Sequence, residues 1–332
     1  MNLSLLFPAY ALLCGSYILL SLRNAQSYAA HHRLQGLQAV MHLRRLLEAL
    51  PQHRGMANAL LQGDESFRSK LMDLQAQINR NMNKMDTLLL SAGDSLAAAE
   101  RSQSILKGWS TITERLNLIT APESFGRHTA LITELLYLIN DVADAAGLLT
   151  DTDSNAQLID VAINTLPQVT ETLGQARGMG TGVAAIGKCD TDMRVKLRYL
   201  LGNTQQVADE VGLAVRGALS EQTARGTYHD TGFAQRARNT LDDSQQATRQ
   251  FLSLLDTGII HENTVEVAPA DFYDAGTVAI QQSFSLLDII LTSLNHHLSQ
   301  AAQLASRRVW LSRGLAAGLM LPAVYLLRGL FA

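Results

Sequence analysis

Leu173-Gly-Gln-Ala-Arg-Gly-Met-Gly-Thr-Gly-Val-Ala-Ala-Ile-Gly-Lys-Cys-Asp190 sets a single arginine, Arg177, in a run of glycines and alanines. A helix of such small residues can pack very closely against its neighbours. A shorter version stands at Leu50-Pro-Gln-His-Arg-Gly-Met-Ala-Asn-Ala-Leu-Leu-Gln-Gly-Asp64. Gln52-x-Arg54-Gly55-Met56 and Gln175-x-Arg177-Gly178-Met179 are one pattern written twice. The repetition predicts two copies of one helical module, each with its arginine box, held between two membrane helices.

The repeat extends beyond the box. Arg68-x-Lys70-Leu71 follows the first copy and Arg194-x-Lys196-Leu197 the second, while Ala121-Pro122-x-x-Phe125 recurs as Ala268-Pro269-x-x-Phe272. Short matches in the same order favour a duplicated module over chance. The predicted fold is all-α: two stacked antiparallel four-helix bundle modules, 23–150 and 151–308, flanked by transmembrane helices at 3–22 and 309–330.

Composition agrees with helices. Only 5% of the 332 residues are aromatic and 6 are proline, whereas Leu, Ala, Gln and Thr are plentiful. That balance suits long helices better than sheets. The net charge of −3 gives a nucleic-acid role no electrostatic support. The 2 cysteines, Cys14 and Cys189, make no disulfide framework, and Cys189 reads as a small buried residue.

Leu3 to Leu22 is an uncharged apolar run of membrane-spanning length, without the positive start or small-residue cleavage site of a signal peptide. Val309 to Leu327 mirrors it, apolar except for Arg313, with Trp310 and Tyr325 placed as interfacial aromatics. The expectation is a protein of the bacterial inner membrane, in contact with lipid, without an output domain after the second span. Arg23, Arg33, Arg307 and Arg308 flank the inner ends of the spans and, by the positive-inside rule, place the central domain in the cytoplasm.

Between the spans the spacing is helical. Leu71, Leu74, Ile78, Met82, Met85 and Leu89 form one apolar stripe; Ile280, Phe284, Leu287, Leu291, Leu294 and Leu298 form another. Breaks are expected at Ser91–Asp94, with Asp94 as the next N-cap, at Thr120–Glu123, with Pro122 in the first turn, at Thr150–Asn155 and at Arg225–Asp230. Gly258 to Ala270 is the longest irregular stretch, and Pro51 and Pro167 are expected to kink their helices.

Leu149-Thr-Asp-Thr-Asp-Ser154, Leu158-Ile-Asp160, Leu166-Pro167, Thr170-Glu171 and Leu173-Gly-Gln-Ala-Arg-Gly178 stand in an order with a known counterpart. From about Leu34 to His297 the chain resembles the nitrate- and nitrite-sensing (NIT-type) all-helical domain and the related bimodular helical sensors of bacterial transmembrane receptors. The resemblance implies two stacked bundles that bind a small ligand, often an anion, and pass a helix shift through the membrane. It implies arginines on the bundle helices as the anion-binding groups, here Arg54 and Arg177. It also implies a homodimer, a periplasmic sensor opposite to the charge argument, and a signalling module, whose place a separate signalling protein would take here.

The residues themselves support the same two arginines. A guanidinium offers a planar fork of donors to a planar oxyanion. Gly55, Gly178, Gly180 and Gly182 let a backbone or ligand come close. The competing reading pairs each arginine with a carboxylate and leaves a ligand-free scaffold or dimerisation module. Arg68 and Arg194 are weaker candidates, read as solvated faces. His31-His32 after the first span and His296-His297 before the second would meet as a metal or pH-sensitive site if they stood at one height. Surface histidines are the simpler reading. Gly178-x-Gly180-x-Gly182 follows no strand and makes no nucleotide loop, and no Ser or Asp sits in a nucleophile motif. The sequence predicts neither an enzyme nor a cofactor.

Overall fold

The computed structural model describes residues 3–92, 95–150, 155–225 and 231–331, with side chains not described at 3–13, 86, 90–92, 222–225, 231 and 319–331. Every regular element among the described residues is helical: α1 (Leu3–Leu61), α2 (Arg68–Ala92), α3 (Leu96–Arg115), α4 (Ala121–Ala145), α5 (Ala156–Asp160), α6 (Leu166–Ile186), α7 (Thr191–Arg225), α8 (Thr231–Leu255) and α9 (Pro269–Phe331).

Local chemistry sets the ends. Ser95 accepts from the Ala98 N–H and starts α3; Thr120 accepts from the Glu123 N–H and starts α4, with proline in its first turn. The expected cap Asp94 lies outside the described residues, as do 151–154 and 226–230 of the expected turns. Gly187, at φ 74°, closes α6 in the left-handed conformation that a side chain resists, and its N–H reaches the Ala184 and Val183 carbonyls. α1 continues through Pro51 without a break. At Pro167 the missing N–H is accommodated differently: the preceding turn, Val161–Thr165, widens to a π-turn in which the Leu166 N–H reaches the Val161 carbonyl. A second π-turn, Asp256–Ile260, takes up the start of the stretch expected to be irregular, leaving 261–268 as the loop before α9.

The chain divides into two compact units, one of Met1–Gln35 with Asn295–Ala332 and one of Gly36–Leu294. In the larger unit the core is aliphatic. The stripe Leu71, Leu74, Ile78, Met82, Met85 and Leu89 is buried, as are Phe284, Leu287, Leu291 and Leu294 of α9. α3 packs on α4, α6 on α7 and α7 on α8, with α4 also against α6.

In the smaller unit α1 and α9 run antiparallel, with Arg313 donating to Asn24 Oδ1 (3.4 Å) and His31 Nε2 3.4 Å from Ser306 Oγ. That register sets His31 opposite Ser306, about 15 Å along α9 from His296 at the usual helical rise. The two histidine pairs are therefore not at one height, and no group of three metal-ligating side chains occurs among the described residues. One helix among them, Pro269–Gly318, is long and apolar enough to cross a membrane by length and composition, and 44% of its apolar window is buried. Most side chains of the expected span 3–22, and those of 319–330, lie outside the described residues.

Candidate functional site

Arg54 projects from α1 into the core with 1% of its surface exposed. Its guanidinium meets Glu171 of α6 at two points, Nη1–Oε1 2.5 Å and Nη2–Oε2 3.2 Å, and Nη1 also donates to Thr129 Oγ1 at 2.9 Å. Glu171 accepts a further bond from Gln175 Nε2 (2.7 Å). The Phe125 ring lies 4.7 Å from the guanidinium carbon. This is a buried two-point ion pair with a further hydrogen bond on each partner, the arrangement in which the attraction offsets desolvation.

Arg177 of α6 has a matching cradle with one part absent. It is 6% exposed, donates from Nη1 to Thr277 Oγ1 at 2.8 Å and lies 4.6 Å from the centre of the Tyr273 ring. Phe125 and Thr129 stand one turn apart on α4, and Tyr273 and Thr277 stand one turn apart on α9. Each arginine is thus held between an aromatic face and a threonine hydroxyl. Arg177, however, pairs with no carboxylate among the described residues, and its other N–H groups find no protein acceptor there. One turn further along α6, the Thr181 hydroxyl is buried without a partner. Gly276 makes the fit possible: a Cβ there would lie 2.8 Å from Arg177 Cγ and 3.0 Å from the Phe251 ring.

The nitrate and nitrite sensing (NIT) family matches residues 45–295, well over half of the chain and both arginine boxes. The chain belongs to the NIT family. A solved structure, that of the NasR transcription antiterminator, shares the fold of this NIT chain with a TM-score of 0.60 at 17% identity, over 89% of this chain and 82% of that one. No curated protein matches the sequence.

Charge in the NIT core is unevenly compensated. Burial pushes the Arg177 guanidinium below its ordinary value; the Tyr273 hydroxyl works against that shift, Arg54 adds to it and Glu171 opposes it. An arginine keeps its proton through such shifts, so the site holds a cation.

Beside Arg54, His53 and His128 are both fully buried, His53 Nδ1 lying 2.8 Å from His128 Nε2. His128 Nδ1 is 2.7 Å from the Ser124 carbonyl and so carries the proton there; His53 Nδ1–H then donates to His128 Nε2. His53 Nε2 is left as a buried acceptor without a donor. Burial, with the neighbouring histidine, lowers the His53 pKa to about 3; burial, with Arg54 as a smaller contribution against the Ser124 bond, lowers that of His128 to about 4. Both rings are neutral at neutral pH.

The glycines of the boxes divide. A Cβ at Gly178 would meet Phe125 at 2.8 Å, and one at Gly180 would run into Phe272, whereas Gly55 and Gly182 face open space. Arg68 is exposed and bound to Glu65 in the same turn, Nε–Oε2 2.6 Å. Arg194 is occupied by the backbone: it donates to the Ile260, Glu262 and Cys189 carbonyls. The partners Thr129, Tyr273, Thr277 and Gly276 carry no local signal beyond an aromatic residue and a threonine at helical i,i+4 spacing, visible only once the arginines are known to reach those helices.

Proposed function

We propose that this NIT chain senses a small planar oxyanion, nitrate or nitrite, with Arg177 as the principal binding group. The observation that carries this reading is the asymmetry of the two boxes. Arg54 is neutralised by Glu171, while Arg177, 6% exposed, has a hydroxyl and a ring and no carboxylate partner among the described residues. A desolvated cation without a counter-ion is costly, and an anion with acceptor oxygens in a plane relieves that cost through parallel N–H bonds. Thr181 has a buried hydroxyl to offer the same ion, whereas the Thr277 hydroxyl already donates to the Tyr273 carbonyl. The ion-paired Arg54 favours the other reading, a ligand-free scaffold, for the first box alone.

The wider reading has two stacked four-helix modules, 23–150 and 151–308, each carrying one box, in a homodimer anchored in the bacterial inner membrane through 3–22 and 309–330. Anion binding at Arg177 draws on α6 and α9 together, and the signal leaves as a shift of α9 against α1 or through a separate signalling protein. The side of the membrane follows from reporter fusions at either end.

The test is calorimetric titration of the purified full chain in detergent with nitrate, nitrite, chloride and sulfate. Arg177→Met is expected to abolish binding of the planar anions while the helical content is kept. Undiminished binding by Arg177→Met, or none by the wild type, removes the reading.

A further inference from the structure

The smaller unit, Met1–Gln35 with Asn295–Ala332, has a charge unlike that of the whole chain. It carries Arg23, Arg33, Arg307, Arg308, Arg313 and Arg328 and neither aspartate nor glutamate, so all 30 acidic residues of the chain fall within 36–294. A chain of net charge −3 thus contains a helical pair whose charged side chains are all cations. Arg307, Arg308 and Arg313 are exposed, and their own unit holds no carboxylate side chain to neutralise them.

Aromatic and aliphatic groups are ordered around these cations. The contacts Arg313–Asn24 and His31–Ser306 fix one antiparallel register, which sets Tyr28 of α1 level with Val309 and Trp310 of α9. Both rings are exposed, Tyr28 by 72% and Trp310 by 69%. Nearer the chain ends follow exposed aliphatic side chains, Leu19 and Leu22 on α1 and Leu311 and Leu315 on α9. The two arginines on that apolar side turn back. The Arg313 guanidinium lies 5.4 Å from the Trp310 ring centre, and Arg23 donates from Nη1 to Gln26 Oε1 at 3.2 Å. A long side chain that lays its stem on apolar surface and returns its charge to an aromatic level has the geometry of snorkelling at a bilayer boundary. Arg307 and Arg308 stand two and three residues to the other side of Trp310.

We infer that the level of Tyr28 and Trp310 is a docking surface for anionic phospholipid headgroups. Arg307 and Arg308 meet the phosphates from one side of the rings, and Arg23 and Arg313 reach back to them from the other. The inference rests on the reading that the ends of α1 and α9 enter a membrane. Phosphate oxygens match the guanidinium forks. The phosphate of a lipid also brings acyl chains, which cover Leu19, Leu22, Leu311 and Leu315; a nucleic acid brings the phosphate and nothing to cover those leucines. Each arginine held near an anionic lipid surface adds roughly fivefold to partitioning, so headgroup charge selects the surrounding lipid.

The experiment places the full chain in nonionic detergent with equal amounts of phosphatidylglycerol and phosphatidylcholine and counts the retained lipids by native mass spectrometry. The wild type is expected to retain phosphatidylglycerol about tenfold or more over phosphatidylcholine. The double variant Arg307→Gln, Arg308→Gln is expected to cut that preference about fivefold or more, while Arg307→Lys with Arg308→Lys keeps most of it. Arg68→Gln, an exposed arginine of the other unit, is expected to leave it unchanged. Equal retention of both lipids by the wild type, or a preference that the glutamine variant keeps in full, overturns the inference. Displacement of the retained lipid by equimolar inorganic phosphate or single-stranded RNA also overturns it, the first by showing a site for free phosphate and the second a nucleic-acid face. Carbonate extraction from neutral phosphatidylcholine vesicles tests the membrane reading by itself. A chain that stays inserted yet shows no lipid preference sinks this inference alone, and a chain that is extracted sinks both.

Discussion

Arg54 and Glu171 hold each other at two points across the crossing of α1 and α6, at 2.5 and 3.2 Å, with 1% and 5% of their side chains exposed. The same helix α6 carries Arg177 one turn beyond Gly174, 6% exposed and without a carboxylate partner among the described residues. The first prediction concerns the closed pair. Glu171→Gln leaves the Arg54 charge buried and is expected to destabilise the fold by about 3–5 kcal/mol. Nitrate at high concentration is expected to restore part of the lost Tm, since it supplies the absent charge. Thermal unfolding with and without nitrate checks both effects.

Arg177→Met removes an uncompensated buried cation. Its cost to the unliganded fold is expected to be below about 1 kcal/mol, with stabilisation as the other allowed direction, because the side chain is replaced by an apolar one of similar length. The wild type is expected to gain about 2.7 kcal/mol at a ligand concentration of 100 Kd, and the variant nothing. Unfolding curves across a nitrate series separate the two proteins.

Gly276→Ala puts a methyl group where Arg177 Cγ would lie 2.8 Å away and Arg177 Cβ 2.9 Å away. The arginine must shift from the Tyr273 face. A loss of about 1–3 kcal/mol from overpacking is expected, together with at least a tenfold weaker nitrate affinity. Gly182→Ala, with open space around it, serves as the control and is expected to leave affinity unchanged.

His53 and His128 give a pH dependence with a fixed sign. Their folded-state pKa values, about 3 and about 4, lie below the ordinary 6.5, so the unfolded chain binds more protons than the native one between those limits. Stability therefore rises with pH in that window: it is fully present above about pH 6.5 and falls as the pH drops towards 4. Each histidine contributes a slope of at most about 1.4 kcal/mol per pH unit. Urea midpoints at pH 7, 6 and 5 are expected to fall steeply in the wild type and less so in the double variant His53→Leu, His128→Leu.

Helix content and the two arginine boxes were legible because they are local. The stripe from Leu71 to Leu89 declares its buried face by spacing alone, and Arg54 and Arg177 stand out as single charges among small residues. The fate of each arginine was not legible. Glu171 lies next to the second box in sequence yet serves the first, and that exchange depends on where α1 crosses α6, which no spacing within either helix encodes. Glu48 matches Glu171 in its distance from the neighbouring arginine, but Arg44, one turn away on the same helix, claims it. The histidine pairs show the converse: counting residues from each expected span placed them side by side, whereas the His31–Ser306 contact sets the helices in a different register.

Arg194 looked like a solvated side chain and instead fastens the approach to α9, binding the Ile260, Glu262 and Cys189 carbonyls while the Val265 N–H bonds to the Gly187 carbonyl at 3.0 Å. The loop that leads to Tyr273 and Thr277 thus loses its conformational freedom when the chain folds, before any ion arrives. An ion of a few atoms makes too few contacts to offset the ordering of a mobile segment, which costs roughly 1–2 kcal/mol for each residue fixed. Preorganisation by Arg194 therefore predicts binding without an ordering cost in this loop, and so with little change in heat capacity.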